Sequence, residues 1–294
     1  MVDPRAVLEL IRPMNCLMLG LAVIAGEFIA YRTVFLFPTV LGFLTGFLLG
    51  GASMVSNDYL DRRVDAVNAP ERPIPSGRVS SNEAMVLTVI LSTLGLALAY
   101  LTGTVCFVIA GLGLLLFLSY NYRGKQLGLV GNMIVSTGMV FSLVYGGFVG
   151  ETFMSSPGQS QNPLDLDQKL ALFFFFSCMV FFSNTGREVN KGIADVEGDS
   201  LRGVRTVALQ HGARVAAYVS AGFYNVAVAI SFIPWFLRLV SWLYLPVGVA
   251  ADVGFEVSAF ILLRDHSKGN ALRVKRMVLL LMLLGLLAFV AGTL

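Results

Sequence analysis

The stretch FLFPTVLGFLTGFLLGGASMVSNDYLDRRVD, Phe35 to Asp65, joins an apolar run to a cluster of charged residues. Residues 35–56 are long enough and apolar enough to cross the hydrocarbon core of a bilayer as a helix. The next nine residues contain three aspartates and two arginines. Charged side chains at the end of a membrane helix need a cation, an anion or a partner residue. The stretch therefore predicts a membrane-spanning helix that leads into a charged site.

The whole chain has the composition of a polytopic membrane protein. Of its 294 residues, 56% are hydrophobic and 13% are charged, whereas a soluble domain is about half apolar and about one quarter charged. Nine segments have the length and hydropathy of spanning helices: 14–31, 35–56, 82–101, 104–120, 129–150, 168–186, 213–233, 239–263 and 272–293. We expect an all-α fold in which nine transmembrane helices of one domain, residues 1–294, surround a central cavity.

The two ends of the chain and the distribution of charge give further expectations. Residues 3–12 are amphipathic, which favours a helix lying at the membrane surface, and the N-terminus does not resemble a signal peptide. With nine spans, 18 of the 21 Lys and Arg residues fall on the side of the N-terminus. The positive-inside rule makes that side cytoplasmic, in a multi-pass protein of the cell membrane. Nothing in the charge pattern favours a nucleic-acid partner.

Two polar connections on this predicted cytoplasmic side carry clusters of acids. In the first, Asn57, Asp61 and Asp65 follow one another at intervals of four residues and share one helix face, while Asp58 lies off that face. The second cluster is REVNKGIADVEGD, residues 187–199. Its residues with the same spacing are Lys191, Asp195 and Asp199, which we likewise expect to share one helix face.

Closely packed carboxylates repel one another, so one of them would take up a proton unless a cation lay between them. Mg²⁺ suits such a site, because it prefers oxygen ligands and binds through few carboxylates together with substrate phosphates. The interleaved arginines and lysines suit the remaining oxygens of a diphosphate. The alternative interpretation is two solvated loops with weak surface salt bridges.

The motifs resemble those of one known family. NDYLDRRVDAVNAPERPIPSGRVS, residues 57–80, is similar to the first aspartate motif of the UbiA superfamily of intramembrane prenyltransferases, and DVEGD, residues 195–199, is similar to its second. RPMN (12–15) and YNYRGKQLGLVGN (120–132) extend the resemblance along the chain. The wording is most similar to the archaeal lipid branch, geranylgeranylglycerol-phosphate geranylgeranyltransferase. Gly192 and Ala194 stand where that branch commonly has acids.

The resemblance implies Mg²⁺-dependent transfer of a prenyl group, geranylgeranyl in the archaeal branch, from its diphosphate to an acceptor within the membrane. It implies metal binding by Asn57, Asp61, Asp65, Asp195 and Asp199. It implies diphosphate binding by Arg72, Lys125, Arg187, Lys191 and Arg12. The residues expected to carry catalysis are Asp61, Asp65, Asp195, Asp199 and Lys125. The cation-like carbon needs a dry aromatic pocket, with candidates Tyr120, Tyr122, Tyr145 and Phe148.

The acceptor of the archaeal branch is lipid-like, the free hydroxyl of geranylgeranylglycerol phosphate in ether-lipid synthesis. Its phosphate needs basic contacts, for which the candidates are Arg62, Arg63, Arg202 and Arg205. These arginines would otherwise anchor helices to lipid headgroups. No residue stands out as a general base. The Pro- and Gly-containing loop 70–78 is expected to cap the site and exclude water.

Several residues lie outside these motifs. Asp252 and Glu256, four residues apart within the eighth predicted span, are either a structural pair or part of a site. The cysteines are interpreted as small core residues: Cys16, Cys106 and Cys178. The histidines are interpreted as surface residues: His211 and His266. The segment SSPGQSQNP, residues 155–163, is expected to form a solvated loop.

Three other functions remain open at this stage. The first is a prenyltransferase of another branch of the same superfamily, with an aromatic acceptor such as a quinone or haem precursor. Only the residues of the motifs separate the two branches. A cation or anion transporter would place ionisable residues near the bilayer midplane, where the chain has Asp252 and Glu256. A non-catalytic membrane scaffold would not bind a diphosphate.

Overall fold

The computed structural model describes residues 3–151, 165–201 and 203–294, and the regular structure in these ranges is helical, without β-strands. Nine helices in them are long and apolar enough to cross a membrane. The expected all-α fold with nine spans is therefore confirmed. Arg202 and the segment 155–163 lie outside the described residues.

In the described ranges, the structure consists of nine long helices and four short ones. The long ones are α2 (Pro13–Tyr31), α3 (Leu36–Asn68), α4 (Ser81–Thr102), α5 (Thr104–Tyr122), α6 (Leu129–Val149), α7 (Leu166–Ala194), α9 (Val207–Ser231), α11 (Tyr244–Arg264) and α12 (Lys268–Thr293). The short ones are α1 (Pro4–Ile11), α8 (Val196–Leu201), α10 (Ile233–Phe236) and a 3₁₀ turn (Gly124–Leu127). The predicted surface helix 3–12 corresponds to α1, which buries Ala6 and Leu10 against the bundle.

The long helices close into a ring. Neighbours around it are α2, α3, α5, α6, α7, α9, α11 and α12, and α4 packs outside against α3 and α5. Helices α2 and α6 also contact each other across the ring. One apolar core lies mainly within α1 to α5 and a second lies mainly within α6 to α12, and both α2 and α6 contribute residues to each core. A cavity opens between the two halves at the end of the bundle where α3 and α7 end, which we call the polar end.

Helix α3 is longer than its apolar run predicts. It continues past residue 56 to Asn68, so the charged segment 57–65 forms its last turns. It ends where Ala69 adopts an extended φ of −151°, because the residue before a proline, here Pro70, is disfavoured in the helical region. The spacing of Asn57, Asp61 and Asp65 is therefore a true helical spacing.

The second acidic segment is not one continuous helix. Helix α7 ends at Ala194, Asp195 has φ −102° and ψ 8°, and the short helix α8 begins at Val196. The prediction that Lys191, Asp195 and Asp199 share the face of a single helix is thus wrong. The break lets α8 turn toward α3, which it contacts.

Two glycines allow α2 and α6 to meet closely. A Cβ added at Gly26 would overlap the carbonyl oxygen of Leu143, and one added at Gly146 would overlap that of Val23. Membrane helices gain packing and backbone contact where small residues face each other in this way. This contact holds the two halves of the ring together beyond the cavity.

We expect Gly146→Ala to lower the free energy of unfolding by about 1–3 kcal/mol, because the added methyl group has no space and the helices must separate. Gly111→Ala is the matched control, since a Cβ there meets nothing within 4 Å. Denaturant or thermal unfolding in detergent measures both variants. Equal stability of the two would contradict the close contact.

Candidate functional site

The polar end of the ring holds a cavity of about 350 Å³. Its walls come from α2, α3, α5, α6, α7, α8 and α12, and from the loops that follow α1, α3, α5 and α8. All ten residues predicted to bind metal or diphosphate line it: Asn57, Asp61, Asp65, Asp195, Asp199, Arg12, Arg72, Lys125, Arg187 and Lys191. The two acidic segments, more than a hundred residues apart in the chain, therefore meet in one place.

Each aspartate at the end of α3 has its own cationic partner. Arg12 donates to Asp58 at 2.6 Å, Lys125 to Asp61 at 2.6 Å, and Arg72 to Asp65 at 2.6 Å. All three carboxylates are buried. Buried charges are tolerated when they are paired, so these contacts allow three carboxylates to lie close together on one helix. Asp58, which the spacing sets apart from the other two, belongs to this network through Arg12.

Asn57 and Arg72 link the pairs to one another. The amide of Asn57 donates to Asp58 at 3.1 Å and to Asp61 at 3.2 Å. Burial disfavours the charge of Arg72, but the carboxylates of Asp65 and Asp58 outweigh it and raise the pKa of the guanidinium. Arg72 therefore stays charged at any physiological pH. Since Ala69 and Arg72 line the cavity, the start of the loop after α3 borders the site, while its role as a water-excluding cap stays a prediction.

The opposite wall contains a residue that the sequence analysis missed. Glu188 lines the cavity and accepts from Arg187 at 3.0 Å and from Lys191 at 3.2 Å. Side-chain exposure is 12% for Arg187 and 9% for Glu188. Glu188 is therefore the counter-charge that holds two predicted diphosphate ligands in the cavity. The available signal was an acid directly after Arg187, which the four-residue spacing rule does not select.

The oxygen donors present fit Mg²⁺. Asn57, Asp61 and Asp65 come from α3, and Asp195 and Asp199 come from the break after α7 and from α8. Within the described ranges, no three Asp, Glu, His or Cys side chains are close enough to form a ready-made metal cluster. Mg²⁺ usually binds to one or two carboxylates together with substrate phosphates and water.

The aromatic part of the prediction needs correction. Tyr120 lines the cavity, together with Phe117. The other three do not: Tyr122 is 68% exposed beside Arg123, Phe148 is 37% exposed, and Tyr145 is buried against the hydroxyl of Thr102. The reason is that α5 and α6 turn only one side toward the cavity, and neighbouring aromatic positions point elsewhere.

A second, apolar cavity of about 60 Å³ adjoins the first. The two share Met18, Met139 and Met282, and the second is lined mainly by α7, α9, α11 and α12. The charged residue among those that line it is Asp252, which accepts from the hydroxyl of Ser231 at 2.7 Å. Glu256 is exposed and does not line either cavity. Asp252 is thus paired with Ser231 on α9, and not with Glu256.

The remaining predicted residues lie elsewhere. Arg62 packs over the ring of Tyr59 and Arg63 is exposed, while Arg205 and the exposed His211 line a separate outer groove. None of the three described candidates for the acceptor phosphate therefore reaches the cavity. His266 is partly buried, and its surface prediction is not met in full. Cys16 and Cys106 are buried as expected, and Cys178 is partly buried.

Comparison with known proteins gives a consistent result. The model of the UbiA prenyltransferase family matches residues 19–284. The chain is 34% identical to digeranylgeranylglyceryl phosphate synthase from Methanopyrus kandleri, over 99% of this chain and all of that protein. A solved structure of a digeranylgeranylglyceryl phosphate synthase has a TM-score of 0.71 at 27% identity, covering 98% of both chains.

A more distant structure shares the fold. It is a UbiA homolog from Archaeoglobus fulgidus bound to DMAPP and Mg²⁺, with a TM-score of 0.68 at 17% identity, covering 96% of this chain and 98% of that one.

We expect Glu188→Gln to lower the free energy of unfolding by about 3 kcal/mol, because the buried Arg187 and the partly exposed Lys191 both lose their counter-charge. Glu197→Gln is the matched control. It breaks a pair with Lys268 in which both side chains are mostly exposed, so it should cost less than about 1 kcal/mol. Unfolding in detergent compares the two. Similar losses would show that Glu188 is not the anchor of this wall.

Proposed function

The chain belongs to the UbiA prenyltransferase family, and from this premise we propose that it transfers a geranylgeranyl group to the hydroxyl of geranylgeranylglycerol phosphate. The donor is geranylgeranyl diphosphate, the cofactor is Mg²⁺, and the product is a lipid of archaeal ether-lipid synthesis. The protein is a multi-pass membrane prenyltransferase. The choice of acceptor is supported by the synthase from M. kandleri, whose whole length this chain matches.

The observation that carries the proposal is the meeting of two acidic segments and seven Lys and Arg side chains in one cavity. A transporter would need ionisable groups along a path across the membrane, and the midplane residues Asp252 and Glu256 do not form such a path. A scaffold would have no use for a cavity of buried ion pairs. The charged head of a prenyl diphosphate with Mg²⁺ suits the polar cavity. Its hydrocarbon chain suits the apolar cavity.

Binding of the donor requires an exchange of partners. When bound, Mg²⁺ neutralises the charge that develops on the leaving diphosphate. Asp61 and Asp65 are held by Lys125 and Arg72 at 2.6 Å. Their carboxylates would bind Mg²⁺ instead. The released cations, with Arg12, would then bind diphosphate oxygens. On the opposite wall, Glu188 keeps Arg187 and Lys191 directed at the same group.

Transfer breaks the bond between C1 of the prenyl chain and the diphosphate oxygen, whose electron pair leaves with the diphosphate. Lys125 and Arg72 stabilise the departing charge as it forms. The ring of Tyr120 faces the cavity and can stabilise the cation-like carbon. The acceptor oxygen forms the new bond and loses its proton. We assign no side chain as general base, because a strongly electrophilic carbon needs little help.

The apolar cavity receives part of the hydrocarbon chain. It joins the polar cavity at Met18, Met139 and Met282, and flexible thioether side chains adapt to an irregular chain. The distribution of Lys and Arg supports a cytoplasmic location for the polar end, where a water-soluble diphosphate headgroup has access. Residues 1–294 would act as a single transmembrane prenyltransferase domain.

The experiment that tests this function is a transfer assay with radiolabelled geranylgeranyl diphosphate and purified protein, with and without Mg²⁺. Geranylgeranylglycerol phosphate and aromatic acceptors are offered separately. We expect labelled product only with the glycerol phosphate and only with Mg²⁺. Transfer to an aromatic acceptor instead would favour the quinone or haem branch of the family.

We expect Asp61→Asn to reduce turnover by two or more orders of magnitude with the fold intact, because an amide neither binds Mg²⁺ as a carboxylate does nor carries the charge that orients Lys125. Asp167→Asn removes an exposed carboxylate at the other end of α7 and should leave turnover unchanged. Turnover is measured at saturating donor and acceptor. Near-normal turnover of Asp61→Asn would remove this residue from the metal site.

A further inference from the structure

Lys275 is a cavity residue that neither aspartate motif contains. It lies on α12, and one face of this helix lines the polar cavity with Lys275, Leu279 and Met282. The intervals of four and three residues place them on one stripe. Met282 also lines the apolar cavity. The stripe therefore runs from an ammonium group, past a leucine, to the junction of the two cavities.

The charge pairing around Lys275 differs from that of every other cation in the cavity. Seven Lys and Arg residues line it, and six of them have a carboxylate within 4 Å. The pairs are Arg12–Asp58, Arg72–Asp65, Lys125–Asp61, Arg187–Glu188, Lys191–Glu188 and Lys268–Glu197. Across the described part of the chain, Lys275 has no carboxylate at this distance. It is thus the cation in the cavity best able to accept an anionic ligand without breaking an existing pair.

The surroundings of Lys275 make this position costly without a ligand. It is partly buried, and the charges that act on it include two cations, Lys191 and Arg187, as well as Asp195 and Glu188. A partly buried ammonium loses hydration that only hydrogen bonds to an acceptor replace. Charge-assisted bonds to phosphate oxygens would do so.

The anion that fits Lys275 differs from the diphosphate of the donor. The wall at the end of α3 already offers Arg12, Arg72 and Lys125 beside the carboxylates that suit Mg²⁺. Lys275 lies on a different helix, α12, above an apolar stripe. A ligand with a phosphate at one end and a hydrocarbon chain at the other matches that sequence of groups.

We infer that Lys275 binds the phosphate monoester of the acceptor and so selects phosphorylated acceptors over neutral or aromatic ones. This inference rests on the proposed function. With its phosphate held by Lys275 on α12, the acceptor would present its glycerol hydroxyl to the donor, whose diphosphate is held by residues of α3 and α7. None of the arginines suggested by the sequence for this phosphate and described in the structure reaches the cavity, whereas Lys275 does.

The test measures KM separately for the donor, geranylgeranyl diphosphate, and for the acceptor, geranylgeranylglycerol phosphate. Lys275→Gln should raise the acceptor KM about 10- to 100-fold, the loss expected for a hydrogen bond to a charged group. The donor KM should change less than about twofold, or about 0.4 kcal/mol, because this assignment gives Lys275 no contact with the diphosphate. Lys275→Arg, which keeps the charge, should have an acceptor KM close to that of the native protein.

Two controls separate recognition from folding. Arg276→Gln removes the neighbouring, exposed charge on the same helix and should leave both KM values unchanged. Geranylgeranylglycerol without its phosphate should be a poor acceptor for the native protein, and Lys275→Gln should use the two acceptors almost equally. Thermal unfolding of each variant identifies any loss of fold. If Lys275→Gln is unfolded, the KM values of Lys275→Arg are compared with those of the native protein.

The outcomes are distinguishable. An increased donor KM with an unchanged acceptor KM would assign Lys275 to the diphosphate and overturn the inference. Unchanged KM values for both substrates would also overturn it, while transfer by the native protein would leave the proposed function standing. If the native protein transfers nothing to geranylgeranylglycerol phosphate, the proposed function fails first and the inference fails with it.

Discussion

The need to balance buried charge at the polar end of the helix ring governs the rest of the structure. Asp58, Asp61 and Asp65 occupy the last turns of one helix, and Glu188 lies across the cavity from them. Isolated carboxylates at such depth would be protonated or would destabilise the fold. Cations from the C-terminus of α1, from the 3₁₀ turn and from the loop after α3 are brought in to pair with them. The ring of helices is closed in a way that allows these pairs to form.

The same balance explains how a membrane protein can keep a highly charged site stable and still reactive. Ion pairs in a partly buried cavity hold the carboxylates in place and leave them available for another ligand, because each cation can bind a phosphate instead. In the proposed reaction the metal would interact with the carboxylate of a pair, and the diphosphate would interact with its cation. The wall formed by α3 contains pairs suited to this exchange, whereas on α7 a single glutamate holds two cations. That difference gives one wall whose carboxylates each have a separate cationic partner and one wall whose two cations share a single carboxylate.

Several features followed from the sequence for simple physical reasons. A helix that spans a bilayer must be apolar over its whole length, so nine apolar runs predicted nine helices. Spacing by four residues identified Asn57, Asp61 and Asp65, because α3 continues unbroken through them. The same rule was wrong after Ala194, where the chain leaves α7 before Asp199. The aromatic candidates Tyr122, Tyr145 and Phe148 were chosen for the chemistry of their rings, and they do not line the cavity because the rotation of α5 and α6 turns them elsewhere.

By itself, the sequence determined the all-helical membrane fold and the two acidic segments, and the resemblance of its motifs to a known family identified the ten charged or amide residues that line one cavity. Hydropathy and helical spacing are local properties, and each segment carries them without its neighbours. Only the tertiary structure decided which carboxylate pairs with which cation, that Glu188 anchors the second wall, and that Lys275 has no carboxylate within ion-pair distance among the described residues. Those facts depend on helix rotation and on distances between residues far apart in the chain, because charges at low dielectric interact through space and not through sequence.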